Sequence, residues 1–290
     1  MIFPHWLGRL QVCGLRRRAL RVAVVVLAVA LAFTPALVGQ SPKSRPGRGT
    51  RPPRLALWVP VYFYPNGPGL REWDRLIAAA RRVPIVAIVN PASGPGNHLD
   101  PYIAAAITRA RKAGITVVAY IGTQYTRKSL AAVQAEVDTY LRFYPDIQGV
   151  HFDEQSSDAK DVEYFAELYR YARQRIPGAI VLANPGTTCA AEYVARPASD
   201  VVCLSERDRA FEGFRLPAWT SRFPASRFCV QAYHVDREAE MKQALGRALQ
   251  LRVGYVYITD DQGPNPYDRL PTYWAAEVEA VRQANQAATR

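Results

Sequence analysis

The chain is poor in the residues that usually announce a chemistry. Four cysteines occur in 290 residues, and Cys189, Cys203 and Cys229 show no metal-ligand spacing among themselves or with Cys13. Cys203 and Cys229 lie in apolar, strand-like runs, which favours buried thiols while leaving a bridge between them open. The four histidines, His5, His98, His151 and His234, are scattered without a local ligand pair, so no metal or cofactor is called for. No Gly-x-Ser-x-Gly elbow is present, and no glycine-rich phosphate loop follows the first strand-like run. Acidic residues are absent from residues 1–54, which hold ten of the 37 Lys and Arg; the rest of the chain has 27 basic against 25 acidic residues. The net charge of +12 therefore belongs to the N-terminal segment. With a near-neutral body and no clustered Lys/Arg face expected after Arg54, a nucleic-acid partner is not expected.

Apolar runs long enough to span a bilayer with ease are also missing. Arg16, Arg17, Arg18 and Arg21 precede an uninterrupted apolar stretch over 22–33, followed by Thr34, Pro35 and a mixed segment to Gln40. Basic region, short apolar core and small residues are the order of a secretory signal. Adding Ala36 to Val38 extends the core to a marginal span, so membrane attachment through 22–38 stays open beside cleavage. Both readings of 1–40 carry the remainder out of the cytoplasm, because the basic cluster stays inside. Residues 41–54, SPKSRPGRGTRPPR, lack apolar periodicity and read as a disordered, solvated linker. A folded domain is expected over 55–290, monomeric in itself.

What the domain does have is rhythm. Short β-branched or aromatic runs fall at 56–62, 84–90, 116–122, 148–153, 179–184, 200–205, 228–234 and 254–259. Helical patterns occupy 70–82, 99–113, 129–143, 160–175, 188–195, 237–251 and 272–286, and 208–227 is the least regular stretch. Strands alternating with helices imply parallel pairing through right-handed crossovers. Eight such units in this length predict a (β/α)8 TIM barrel, with a doubly wound open sheet as the alternative.

Active sites on this fold sit where strands end, and polar and aromatic residues gather at those ends. They include Tyr62 and Tyr64, Asn90, Tyr125 and Arg127, His151 with Asp153 and Glu154, Asn184, Glu206, Tyr233 with His234, and Asp260 with Asp261. Val150 and Phe152 alternate with His151 and Asp153, so an apolar pair facing the helices aims the polar pair at the barrel axis. Glu206 ends the apolar run Val-Val-Cys-Leu-Ser-Glu, an odd choice for packing. Asp158 and Asp208 read as helix caps. Carboxylates in an aromatic-lined mouth suggest glycoside cleavage, one acid protonating the leaving oxygen and the other attacking the anomeric carbon or activating water. Tyr62, Tyr64, Tyr120, Tyr125, Trp219, Tyr233 and Tyr257 are candidate sugar platforms. Asn90, Tyr125, Arg127, His151, Asn184 and Asp260 are candidate hydroxyl-binding groups.

These residues carry a resemblance. Val59-Pro60-Val61-Tyr62-Phe63-Tyr64-Pro65 with Trp73, Val83 to Pro91 with Ser93-Gly94-Pro95-Gly96, Ala113-Gly114-Ile115, Tyr120, Thr123-x-Tyr125-x-Arg127 and Gly149-Val150-His151-Phe152-Asp153-Glu154 together resemble the spherulin-4, or spherulation-specific, family. That family includes secreted microbial endo-α-1,4-N-acetylgalactosaminidases. The resemblance runs from about Leu55 to the C-terminus. It implies a (β/α)8 barrel acting on α-1,4-linked galactosamine or N-acetylgalactosamine chains of exopolysaccharide and biofilm matrix. The acidic trio it implies maps onto Asp153, Glu154 and Glu206. A non-catalytic carbohydrate- or cell-wall-binding protein on the same barrel, holding glycan without cutting it, is the alternative.

Overall fold

The computed structural model describes residues 54–288; the expected signal or anchor over 1–40 and all but the last residue of the linker expected over 41–54 lie outside them. Among the described residues no helix is long and apolar enough to cross a membrane. Eight strands form a closed, all-parallel barrel in chain order: β1 (Ala56–Val61), β2 (Ile85–Val89), β3 (Thr116–Gly122), β4 (Gly149–Asp153), β5 (Ile180–Asn184), β6 (Val201–Asp208), β7 (Phe228–Tyr233) and β8 (Tyr255–Ile258). The helices around it are α1 (Pro68–Ala79), α2 (Pro101–Lys112), α3 (Leu130–Phe143), α4 (Val162–Arg175), the single turn α5 (Glu192–Ala195), α6 (Glu238–Leu251) and α7 (Trp274–Ala287). The irregular stretch after β6 folds as short 3-10 turns at Ala218–Arg222 and Ala225–Arg227. Gly213, Pro217 and Pro224 break any longer helix there.

Strand alternation sorts the side chains into two layers. Leu57, Val59, Val61, Ala87, Val89, Val150, Phe152, Val202 and Leu204 pack between the barrel and the helices. Trp58, Val86, Ile88, Val118, Leu182, Val201, Cys203 and Cys229 fill the inside. The barrel is thus a packed core. Cys203 and Cys229 are register partners on β6 and β7 and remain buried free thiols. Gly149 opens β4 where a Cβ would lie 1.9 Å from the Ile180 carbonyl oxygen, so only glycine lets these strands approach. The ring is latched where it begins: the Asn285 side chain accepts from the Leu55 N–H at 2.7 Å and donates to the Leu55 carbonyl at 2.9 Å.

Asp100 caps α2 by accepting from the N–H groups of Tyr102 and Ile103, with Pro101 in the first turn. Asp158 caps the 3-10 turn Ala159–Asp161. Asp208 caps nothing: it ends β6 and meets His234 Nδ1 at 3.0 Å.

Candidate active site

The inward parity of β4 brings Asp153 to the C-terminal mouth. Below it His151 is buried, its ring 5.4 Å from Trp58 and 6.1 Å from Tyr120, and its Nε2 lies 3.8 Å from Asp153 Oδ1. Glu206 reaches the same place by another route. It shares parity with Val202 and Leu204, which face the helices, but the β6–β7 register shifts between Cys203 and Glu206. The Glu206 N–H bonds the carbonyl of Gly186 at 2.9 Å. This bulge turns the side chain into the mouth.

Asn184, at the end of β5, joins the two acids. Its Nδ2 donates to Asp153 Oδ1 at 2.9 Å and to Glu206 Oε2 at 2.5 Å. Its Oδ1 accepts from the Gly186 N–H at 2.9 Å, which fixes the amide with both donors toward the carboxylates. With one nitrogen between them, the nearest oxygens of the two carboxyls lie within about 5.4 Å of each other.

The environments of the two acids push them apart. Burial acts to raise Asp153, but the hydrogen bond and charge of His151, the Glu154 backbone N–H and the Tyr120 hydroxyl outweigh it and hold the carboxyl below its ordinary value. Burial raises Glu206, with Asp153 adding like-charge repulsion; donors from Tyr267 and Asn184 reduce that rise without cancelling it. One acid is held as carboxylate and its neighbour is biased toward the protonated form, the division that acid/base pairs require.

Glu154 has φ 54°, in the left-handed region. Its carbonyl accepts from the Tyr125 N–H and from Thr123 Oγ1, each at 2.9 Å, and its Oε2 accepts from the Gln124 N–H at 3.1 Å. A Cβ on Gly122 would lie 3.2 Å from that oxygen and 3.4 Å from the Tyr120 hydroxyl, so Glu154 stands over the end of β3 beside the reacting pair. It fixes the segment bearing Tyr125 and Arg127, which are exposed, the guanidinium 5.9 Å from the Tyr125 ring.

The remaining expected residues divide. Tyr62 and Tyr120 meet edge to face at 5.7 Å and wall the mouth above His151. Tyr64 and Asn90 line, with Tyr62, a cleft of about 70 Å³ at the ends of β1 and β2. There Tyr64 donates to Asp100 Oδ2 at 2.9 Å, and Asn90 Oδ1 holds the Gly94 N–H at 3.0 Å. Tyr233 ends β7, paired in register with Asp208. Asp260 is taken up by Arg269 at 2.7 Å and by the Thr272 N–H at 3.2 Å, and is not joined to the Asp153–Glu206 pair. Trp219, expected in the mouth, packs instead on Phe223 and Phe228 at the opposite end of the barrel. It belongs to the 3-10 turn that leads into β7, not to a loop that follows a strand. Tyr257 is fully buried inside.

Sequence reasoning missed Tyr267. It lies in the loop after β8, buried, and donates to Glu206 Oε1 at 2.5 Å while its ring meets Tyr62 at 5.9 Å. The Tyr62 N–H bonds its carbonyl at 3.2 Å. Its only sequence signal is an aromatic in a loop at the functional end of the barrel.

The molecule is a closed (β/α)8 barrel whose mouth joins two carboxylates among aromatic rings. The family model for spherulation-specific family 4 matches residues 56–281, and the chain belongs to that family. Spherulin-4 of Physarum polycephalum is 28% identical over 242 residues, covering 80% of this chain and 71% of that relative. The crystal structure of Aspergillus clavatus Sph3 in complex with GalNAc superposes with TM-score 0.68 at 21% identity, covering 79% of this chain and 98% of the other. A chitinase domain from Pyrococcus furiosus complexed with chito-oligosaccharides gives 0.52 at 13% identity, covering 82% and 96%.

Proposed function

We propose that the protein is an exported, endo-acting glycoside hydrolase of α-1,4-linked galactosamine or N-acetylgalactosamine exopolysaccharide. The observation that carries the reading is the Asn184-bridged pair of carboxyls whose proton affinities are driven in opposite directions. The family resemblance and the GalNAc bound to the Sph3 neighbour support the choice of sugar. The N-terminal basic and apolar pattern supports export.

In this reading Glu206, as the acid, gives its proton to the glycosidic oxygen while the bond to the anomeric carbon breaks, and the Asp153 carboxylate takes that carbon. Water then displaces Asp153, losing a proton to the Glu206 carboxylate, which restores both groups. The close spacing of the pair fits this two-step, retaining course better than one that seats a water between them. Tyr267 and Asn184 hold Glu206 in place, and His151 with Tyr120 holds Asp153 ionised. Tyr62 and Tyr120 offer ring faces to the sugar.

The test is product analysis on N-acetylated and deacetylated α-1,4-galactosaminoglycan, beside an Asp153→Asn, Glu206→Gln double variant. Oligosaccharides released by the parent alone are the expected result, and their composition reports the preferred amine state. Polymer retained intact by both proteins would mean a binding barrel and would overturn the catalytic roles.

A further inference from the structure

The end of the barrel opposite the mouth carries a charged surface that the linear sequence hides, because its arginines are far apart along the chain. Two adjoining cavities open there, of about 350 and 1020 Å³, sharing Asn285. Arg54, Arg81, Arg82 and Arg282 surround the smaller one; Arg215, Arg247 and Arg252 edge the larger, and no acidic side chain lines either. Glu279 pairs with Arg82 and Arg282, and Arg247 donates to Gln250 and the Phe214 carbonyl. Arg54, Arg81, Arg215 and Arg252 are exposed and form no ion pair among the described residues. The larger cavity has an apolar side as well: Leu216, Phe223 and Leu251 are half-buried, and Leu249 is 43% exposed.

We propose that this face docks onto anionic phospholipid headgroups. Unpaired guanidinium groups repel one another and bind phosphate with a geometry suited to bidentate contact. A soluble polyanion would satisfy the arginines but would leave the apolar side in water; a bilayer interface satisfies both. The chain's own linker is excluded as the occupant by like charge, since Lys43, Arg45, Arg48 and Arg51 precede Arg54 with no acid among them. The polypeptide enters the barrel at Arg54, which itself lines this face. Docking there aims the Asp153–Glu206 mouth away from the lipid and toward surrounding polymer. The inference stands on the basic face and does not require the glycosidase reading.

The test is sedimentation with phosphatidylcholine vesicles with and without phosphatidylglycerol, on the full chain and on Gly49–Arg290, which forms one compact unit. Expected is binding by Gly49–Arg290 only to phosphatidylglycerol vesicles, weakened by salt and lowered at least about tenfold by Arg81→Glu with Arg215→Glu. Asp153→Asn binds vesicles like the parent, which separates a failure of docking from a failure of the hydrolase reading. Both arginines are exposed, and an unchanged melting temperature shows that the charge reversals leave the fold intact. Equal binding to neutral vesicles or full binding by the charge-reversed protein would each overturn the proposal.

Discussion

Two pairs of acids end strands at the mouth of this barrel, and they have opposite fates. Asp153 and Glu206 meet neutral donors and one histidine: Asn184 between them, Tyr267 on Glu206, Tyr120 and His151 on Asp153. Asp260 and Asp261 meet Arg269, at 2.7 and 3.5 Å, and the backbone of their own loop. A guanidinium and local N–H groups spend a carboxylate on holding a loop. Neutral donors position a carboxyl without neutralising it, so its proton stays available for chemistry. Occupancy at a strand end therefore matters less than the partner that the fold supplies.

The comparison breaks most sharply at its centre. Asp153→Asn and Glu206→Gln are each expected to lower polymer cleavage by about a thousandfold or more, because each removes a group that forms or protonates a bond in the transition state. Release rates on defined oligosaccharides measure this, and a loss below tenfold in either variant contradicts the assignment. Asn184→Ala comes next, at about a hundredfold, since it frees both carboxyls from one shared donor. Because Asn184 lowers Glu206, its loss is also expected to move the alkaline limb of the pH profile upward.

How much of this was legible in the sequence follows from what sets each position. The β4 alternation of Val150 and Phe152 with His151 and Asp153 is local, and the structure places all four as that alternation requires. Glu206 stood out in its apolar run, but the turn that aims it depends on the Gly186 carbonyl and the β6 bulge, a tertiary pairing with no local pattern. Tyr267 was invisible for the same reason, since its partner lies 61 residues away. Trp219 was misplaced because an aromatic in an irregular stretch carries no sign of which barrel end it will face. The basic groove escaped notice because a closed barrel gathers strand starts that are remote in sequence.

His151 sharpens the contrast at smaller amplitude. Asp153 is held below its ordinary value, so the active form, Asp153 ionised with Glu206 protonated, is lost on the acid side as pH falls through the Asp153 value. Removing the imidazole takes away the largest effects opposing burial there. His151→Phe is thus expected to raise the acid limb of kcat/KM toward neutral pH and to raise the alkaline limb by less, because the imidazole is the larger influence on Asp153 and the smaller on Glu206. A uniform drop in rate with an unmoved profile would assign His151 to packing alone. Tyr120, Tyr62, Glu154 and Glu206 also face Asp153, so the Tyr120→Phe variant is the control: it removes a weaker contribution and moves the same limb less.

The smallest effect on chemistry belongs to the second acid pair. Arg269→Gln leaves Asp260 and Asp261 facing each other's charge with Asp268 nearby, and Asp261 is already raised by burial, with Asp268 adding to it, despite the arginine. Loss of this cation is expected to cost about 1–3 kcal/mol of stability, read as a lower melting temperature at neutral pH. The deficit shrinks as acid protonates Asp261, whose charge the arginine offsets. Cleavage rate per folded molecule should fall by less than about tenfold, since this pair reaches Glu206 only indirectly, through the loop that carries Tyr267. A rate loss comparable to that of Asn184→Ala would erase the distinction between the pairs and draw Asp260 into the sugar-binding surface.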